Sequence, residues 1–321
     1  MTDVAPSVTT AVSGTPVVLR AHGYEAAIAS VGASLRSLTH DGRDLVVPFA
    51  ADEVRPYFRG ATLAPWPNRV VDGAYVFGGE EYQLALTEPT RGHALHGLLG
   101  WADWSVVDGD EESVTLTAVV PAQDGYPWWV EVTTTYRLGP DGLTQTVRAT
   151  NRSQAPAPWG TGPHPYLVAG PGALDSWTFE LPADTVLEVT PDRLAPVGLA
   201  SVAVDAERFD FRAPRAIGAV EIDHAYTDLI RDAGGRATVT LTDPSGTGVA
   251  LSWDAGCGWV QIHTADRPEG PAHPANRAGL AVEPMTCAPD AFNDQAYDFA
   301  TGLIVLAPGE SHEVGWTISA R

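Results

Sequence analysis

Along most of this chain, apolar and polar residues alternate with the two-residue period of half-buried strands. Val114 to Val120 shows it, as do Val130 to Leu138, Leu143 to Thr150, Trp177 to Leu181 and Ala237 to Thr242. Val249 to Trp253, Trp259 to His263 and Val314 to Ile318 repeat it. These runs are rich in Val, Thr, Trp and Tyr, which fit a pleated surface, and Gly, Pro and Asp bound them. Gly139-Pro140-Asp141-Gly142 separates two such runs and reads as a hairpin loop. Helical periodicity is scarce; short helical turns are expected around Asp52 to Phe58 and Asp290 to Gln295. Many short strands at close spacing predict an all-β fold, a large antiparallel β-sandwich. Ser153 to Gly172 is rich in Pro and Gly but reads as an internal loop, so residues 1–321 are expected to form a single domain. Asp266 to Gly279 is poor in apolar residues and is the best candidate for a mobile surface loop.

Composition narrows the function. The chain carries 40 acidic and 19 basic residues, for a net charge of −21. Such a surface repels phosphate backbones and anionic lipids, so neither a nucleic-acid nor a membrane partner is expected. Every basic residue is Arg, which excludes Schiff-base lysines, a Walker-A lysine and Ser-Lys dyads. The two cysteines, Cys257 and Cys287, are too few for a disulfide framework and fit a reducing compartment. Cys287 lies near Glu283, but a small buried residue is the simpler reading. Met1 to Gly14 shows no basic stretch followed by an apolar core, and no run approaches the roughly 20 apolar residues of a membrane helix. A cytoplasmic monomer or homodimer is expected.

Three short segments carry the candidate chemistry. Gly92-His93-Ala94-Leu95-His96-Gly97 and Gly162-Pro163-His164-Pro165-Tyr166 present imidazoles on tight frames. Gly and Pro restrict the backbone there and so fix where each ring points. The third segment places Glu283 where the apolar run Leu280-Ala281-Val282 meets Pro284. A carboxylate at the end of a buried strand is costly unless paired or used. An imidazole and a carboxylate suffice to move protons at neutral pH. His93 and His96 have the spacing of a metal pair, with His164, His263 or Glu283 as further ligands. The Gly frame argues instead for a loop that hydrogen-bonds a substrate. Asn68-Arg69 follows Trp66 and Pro67; a planar guanidinium can anchor hydroxyls or an anion, and Trp66 could stack on a sugar face.

Taken together, in order and spacing, these motifs resemble the aldose 1-epimerase (mutarotase) family. The resemblance runs from roughly Leu35 to the C-terminus, through Asn68-Arg69, His96-Gly97, His164-Pro165-Tyr166, Asp223-His224 and Glu283-Pro284. It implies a large antiparallel β-sandwich and a small-molecule sugar substrate, with no cofactor and no metal. Glu283 matches the catalytic base and His164 the catalytic acid. Arg69, His96 and Asp223 match substrate-binding positions; Asn68, Trp66, His93 and Gln261 are expected in the cleft. The segments around Trp66, Trp101 and Glu283 look most like a bacterial subgroup that includes sulfoquinovose mutarotases, with Arg69 as the leading candidate to hold a sulfonate. Three rivals stay open: a non-catalytic sugar-binding sandwich, a glycoside hydrolase, which normally pairs two carboxylates, and a hexose-6-phosphate epimerase.

Overall fold

The computed structural model describes residues 10–321. The N-terminal stretch read for a leader, Met1 to Gly14, therefore lies mostly outside the described residues. Two large antiparallel sheets dominate. The first has nine strands, in the order Ser105–Gly109, Ser113–Val120, Val130–Gly139, Gly142–Asn151, Ser311–Ala320, Gly248–Trp253, Ala237–Thr242, Thr178–Glu180 and Arg215–Ala216. The second has six, in the order Tyr166–Leu167, Leu280–Met285, Trp259–His263, Asp223–Leu229, Ala183–Val189 and Pro196–Ser201. The all-β sandwich is as the alternation predicts.

Alternation decides which side chains meet between the sheets. In Val130–Gly139, Val130, Val132, Thr134, Tyr136 and Leu138 are buried, and the residues between them are less so. Val132, Tyr136, Val147, Val239 and Leu251 of the large sheet share one apolar cluster with Val186, Tyr226, Val260, Ile262 and Val282 of the smaller one. Most tryptophans belong to such packing: eight of the ten are buried, and only Trp101 and Trp129 are exposed. Helical structure is confined to short pieces, including 3-10 turns at Pro56–Phe58 and Ala291–Ala296, where turns are expected. Among the described residues no helix is long and apolar enough to cross a membrane.

The segment from Asp266 to Gly279 is fastened more firmly than its composition suggests. Arg277 reaches Asp175 and Asp266, each at 2.7 Å, and donates to the carbonyls of Val220 and Gly218. His273 Nε2 lies 3.2 Å from the Tyr57 hydroxyl. One arginine thus replaces the missing apolar anchors.

Candidate active site

Strand pleating builds the floor of the site. Along Leu280–Met285, Leu280 and Val282 join the main core, whereas Ala281 and Met285 belong to two small clusters on the other face. Glu283 lies between these, on that same face. The register carries the pattern sideways. Glu283 stands opposite Gln261, and Gln261 opposite Ala225; Ala281 stands opposite His263, and His263 opposite Asp223. Three neighbouring strands therefore present Glu283, Gln261, His263 and Asp223 on one surface.

His164 arrives on a crossing segment. Gly162–Pro163 pairs with Thr62–Leu63, and Tyr166–Leu167 pairs with Ala281 and Leu280. A Cβ on Gly162 would stand 2.6 Å from the Pro284 carbonyl oxygen, so the crossing chain lies directly on the Glu283 strand. His164 Nε2 reaches to 3.5 Å from Glu283 Oε1. The Tyr166 ring stacks on the imidazole at 5.1 Å and 13°, and His96 packs against it edge-on.

A strained pair of turns holds the third part. Asn68 and His96 both have left-handed backbones, with φ of 55° and 61°; nearby Tyr57 and Phe58 do too, at 49° and 57°. Such conformations cost energy and concentrate at functional sites. The Asn68 backbone N–H donates to His96 Nδ1 at 3.1 Å. Nδ1 is therefore the acceptor, and the neutral ring carries its proton on Nε2. Burial, with the charges of His164 and Arg69 nearby, holds the His96 pKa well below its ordinary value. His96 is thus a neutral Nε2–H donor. The Arg69 fork is filled by Glu88, with Nε and Nη2 donating to its two oxygens at 2.7 and 3.0 Å. Arg91 also donates to Glu88 at 2.9 Å, and Asp223 Oδ2 lies 4.0 Å from Arg69 Nη2. Burial opposes the Arg69 charge, but Glu88 and Asp223 outweigh it and raise its pKa.

These residues enclose a cavity of about 680 Å³, a size suited to a small ligand. Seven of the expected residues line it: Asn68, Arg69, His96, His164, Asp223, Gln261 and Glu283. Two do not. His93 is fully buried elsewhere, with Nδ1 accepting from the Asp72 N–H at 3.3 Å and Nε2 at 2.8 Å from the Arg193 carbonyl. Both its nitrogens are engaged in structure, so His93, expected in the cleft, is not free to contact a ligand there. Trp66 is a core residue, donating from Nε1 to the Ala94 carbonyl and packing its edge on Phe292. The aromatic faces at the cavity belong to Tyr57, Phe58 and Tyr166 instead. Sequence reasoning missed Glu88, Arg91, Tyr57 and Arg267, which also line it. No motif in the sequence singled out any of the four.

The electrostatics single out Glu283 and His164. Burial pushes the Glu283 carboxyl well above its ordinary pKa; Asp223 adds to the shift and Arg69 opposes it. Burial, reinforced by His263, pushes His164 down to about 3. Both shifts favour the neutral forms, a carboxylic acid beside an uncharged imidazole. Glu283 Oε2 and Gln261 Oε1 are buried without a protein partner, which is costly unless a ligand supplies one. Burial would raise Asp223 too, but His263, Arg69 and a 2.6 Å bond from Gln261 hold it below the usual range. Burial pushes the Cys287 thiol up to about 12 and Cys257 higher still, so neither is an activated nucleophile.

His96, His164 and Glu283 could in principle hold a metal, since each offers a ligand atom within 4.8 Å of the others. Two imidazoles and a carboxylate form a set that zinc accepts. The tautomer of His96 argues against it. A metal on Nε2 would move the ring proton to Nδ1, where it would face the Asn68 N–H donor. The donor arrangement fits proton exchange better than ligation.

The aldose 1-epimerase family model matches residues 16–319, and the chain belongs to that family. It is 35% identical over 307 residues to YihR of Escherichia coli K12, an uncharacterized protein, covering 95% of this chain and 93% of that one. It is 32% identical over 189 residues to the galactose mutarotase of Pongo abelii, spanning about half of each chain, 54% and 52%. The GalM/aldose epimerase homologue from C. elegans shares the fold with a TM-score of 0.79 at 23% identity, over 95% of this chain and 98% of that one. A galactose mutarotase-like protein from Clostridium acetobutylicum superposes with a TM-score of 0.81 at 18% identity, over 95% of each chain.

Proposed function

We propose that this chain interconverts the α and β anomers of a cyclic hexose, with Glu283 and His164 exchanging the protons. The observation that carries this reading is the buried Glu283–His164 pair, 3.5 Å apart in a cavity of about 680 Å³. Ring opening needs a proton removed from the anomeric hydroxyl and one delivered to the ring oxygen. The pair enters the reaction as carboxylate and imidazolium, reached when the resting carboxyl proton passes to His164 Nε2. Glu283 then takes the O1 proton and His164 gives its own to O5. The C1–O5 bond breaks, and C1 becomes an aldehyde carbon. Rotation about C1–C2 turns the other carbonyl face toward O5, and the same groups reverse roles on closure. The proton count of the pair is restored.

Arg69, the His96 Nε2–H, Asp223 and Gln261 would bind hydroxyls around the ring. A sulfonate on Arg69 is disfavoured, because Glu88 already takes the Nε–Nη2 edge of its fork and answers its charge. A non-catalytic sugar module would have no use for a buried, ionisable pair with an unpartnered carboxyl oxygen. The test is exchange NMR on a panel of hexoses. Exchange faster than the spontaneous rate supports the reading; binding without exchange would favour the module.

A further inference from the structure

A second cavity, of about 560 Å³, shares no lining residue with the candidate active site. A two-residue hairpin builds one of its walls. Gly78 and Gly79 both have positive φ, at 63° and 88°, and join Ala74–Phe77 to Glu80–Gln83. The tight turn fixes the register: Phe77 stands opposite Glu80, and Tyr75 opposite Tyr82. Directly opposed residues point to one face, as do alternate residues along a strand, so Phe77, Glu80 and Tyr82 share a face. Trp128, rooted in the main core, meets that face. Its ring lies 5.3 Å from Phe77 at 90° and 5.1 Å from Tyr82 at 54°.

Three rings thus border one space, with a carboxylate beside them. Among the described residues that line it, Glu80 is the one charged group, and there is no arginine. That composition is selective. Ring faces carry negative partial charge and attract a cation that sits over them. Glu80 and the net charge of −21 add to the attraction, whereas an anion would meet repulsion. Of the other polar side chains, Ser153 is already bonded, its Oγ accepting from the Trp129 N–H at 2.6 Å. A cation bearing N–H groups would shed water there with little in return. A quaternary ammonium has no N–H to satisfy. We propose that Phe77, Tyr82 and Trp128, with Glu80, form a binding site for a small quaternary ammonium compound, separate from the sugar cavity.

Calorimetry with choline and with its uncharged carbon isostere, 3,3-dimethylbutan-1-ol, tests the charge preference at constant shape. Wild type is expected to bind choline about tenfold tighter than the isostere. Trp128 is buried in the core, so the variants are placed at Tyr82 and Glu80, which are not buried. Tyr82→Leu should weaken choline binding about threefold or more. Glu80→Gln should weaken it about twofold to fivefold and leave the isostere nearly unchanged. Choline binding no tighter than the isostere would overturn the proposal. So would choline binding that both variants retain at wild-type strength, which would place the cation elsewhere, such as beside the carboxylates of the sugar cavity.

Discussion

At the scale of single residues, the Glu283–His164 pair makes the fold sensitive to pH in opposite directions. The folded pKa of His164 is depressed to about 3, so its contribution to stability is complete above its unfolded value and is lost as pH falls toward 3. Between pH 6.5 and pH 5 that loss amounts to about 2 kcal/mol. Thermal melts of wild type and His164→Asn are therefore expected to converge as pH is lowered over that range. Glu283 behaves conversely. Its folded pKa is raised, so its contribution is present at low pH and is lost as pH rises toward the folded value. Glu283→Gln should gain on wild type with rising pH. Parallel melting curves across the range would contradict both shifts.

At the scale of elements, what the sequence reveals depends on how each strand is buried. Ala237–Thr242 and Trp259–His263 lie where alternation places them, to the residue. Tyr24–Ala29 went unread because five of its six residues are buried and alternation vanishes. Leu280–Met285 is buried throughout, yet Glu283 remained legible because a carboxylate in such a run needs a reason. Proline framing made His164 legible in the same way. Glu88 was hidden: its partner Arg69 lies 19 residues away, and only the pairing of Arg69–Val71 with His93–Leu95 brings that stretch back. His93 and Trp66 carried suitable chemistry in a suitable motif, but the strand at His93–Leu95 and the loop before Arg69 turn them into the interior. The turn after His96 is equally exacting. Gly97 has φ of 74°, and a Cβ there would stand 2.1 Å from the Ala64 carbonyl oxygen. Gly97→Ala should destabilise the protein by roughly 2 kcal/mol or more and displace His96, read as a lower melting temperature and a raised KM. An unchanged melting temperature would show that the turn can relax.

At the scale of the whole molecule, two sheets enclose the core, a fold shared with the structural neighbours, and the face of the smaller sheet turned away from the core carries the candidate chemistry. Since the proposed reaction runs on side-chain protons alone, exhaustive chelation should leave its rate unchanged. Loss of activity restored by one added metal would reinstate His96, His164 and Glu283 as ligands. The most direct test of the central claim is the rate of anomer exchange, measured by exchange NMR for wild type, Glu283→Gln and His164→Asn on the best hexose of the panel. Wild type should exceed the spontaneous rate, and each variant should lose about 100- to 10,000-fold while staying folded. Wild-type rates in either variant, or no exchange above the spontaneous rate with any hexose, would contradict the account.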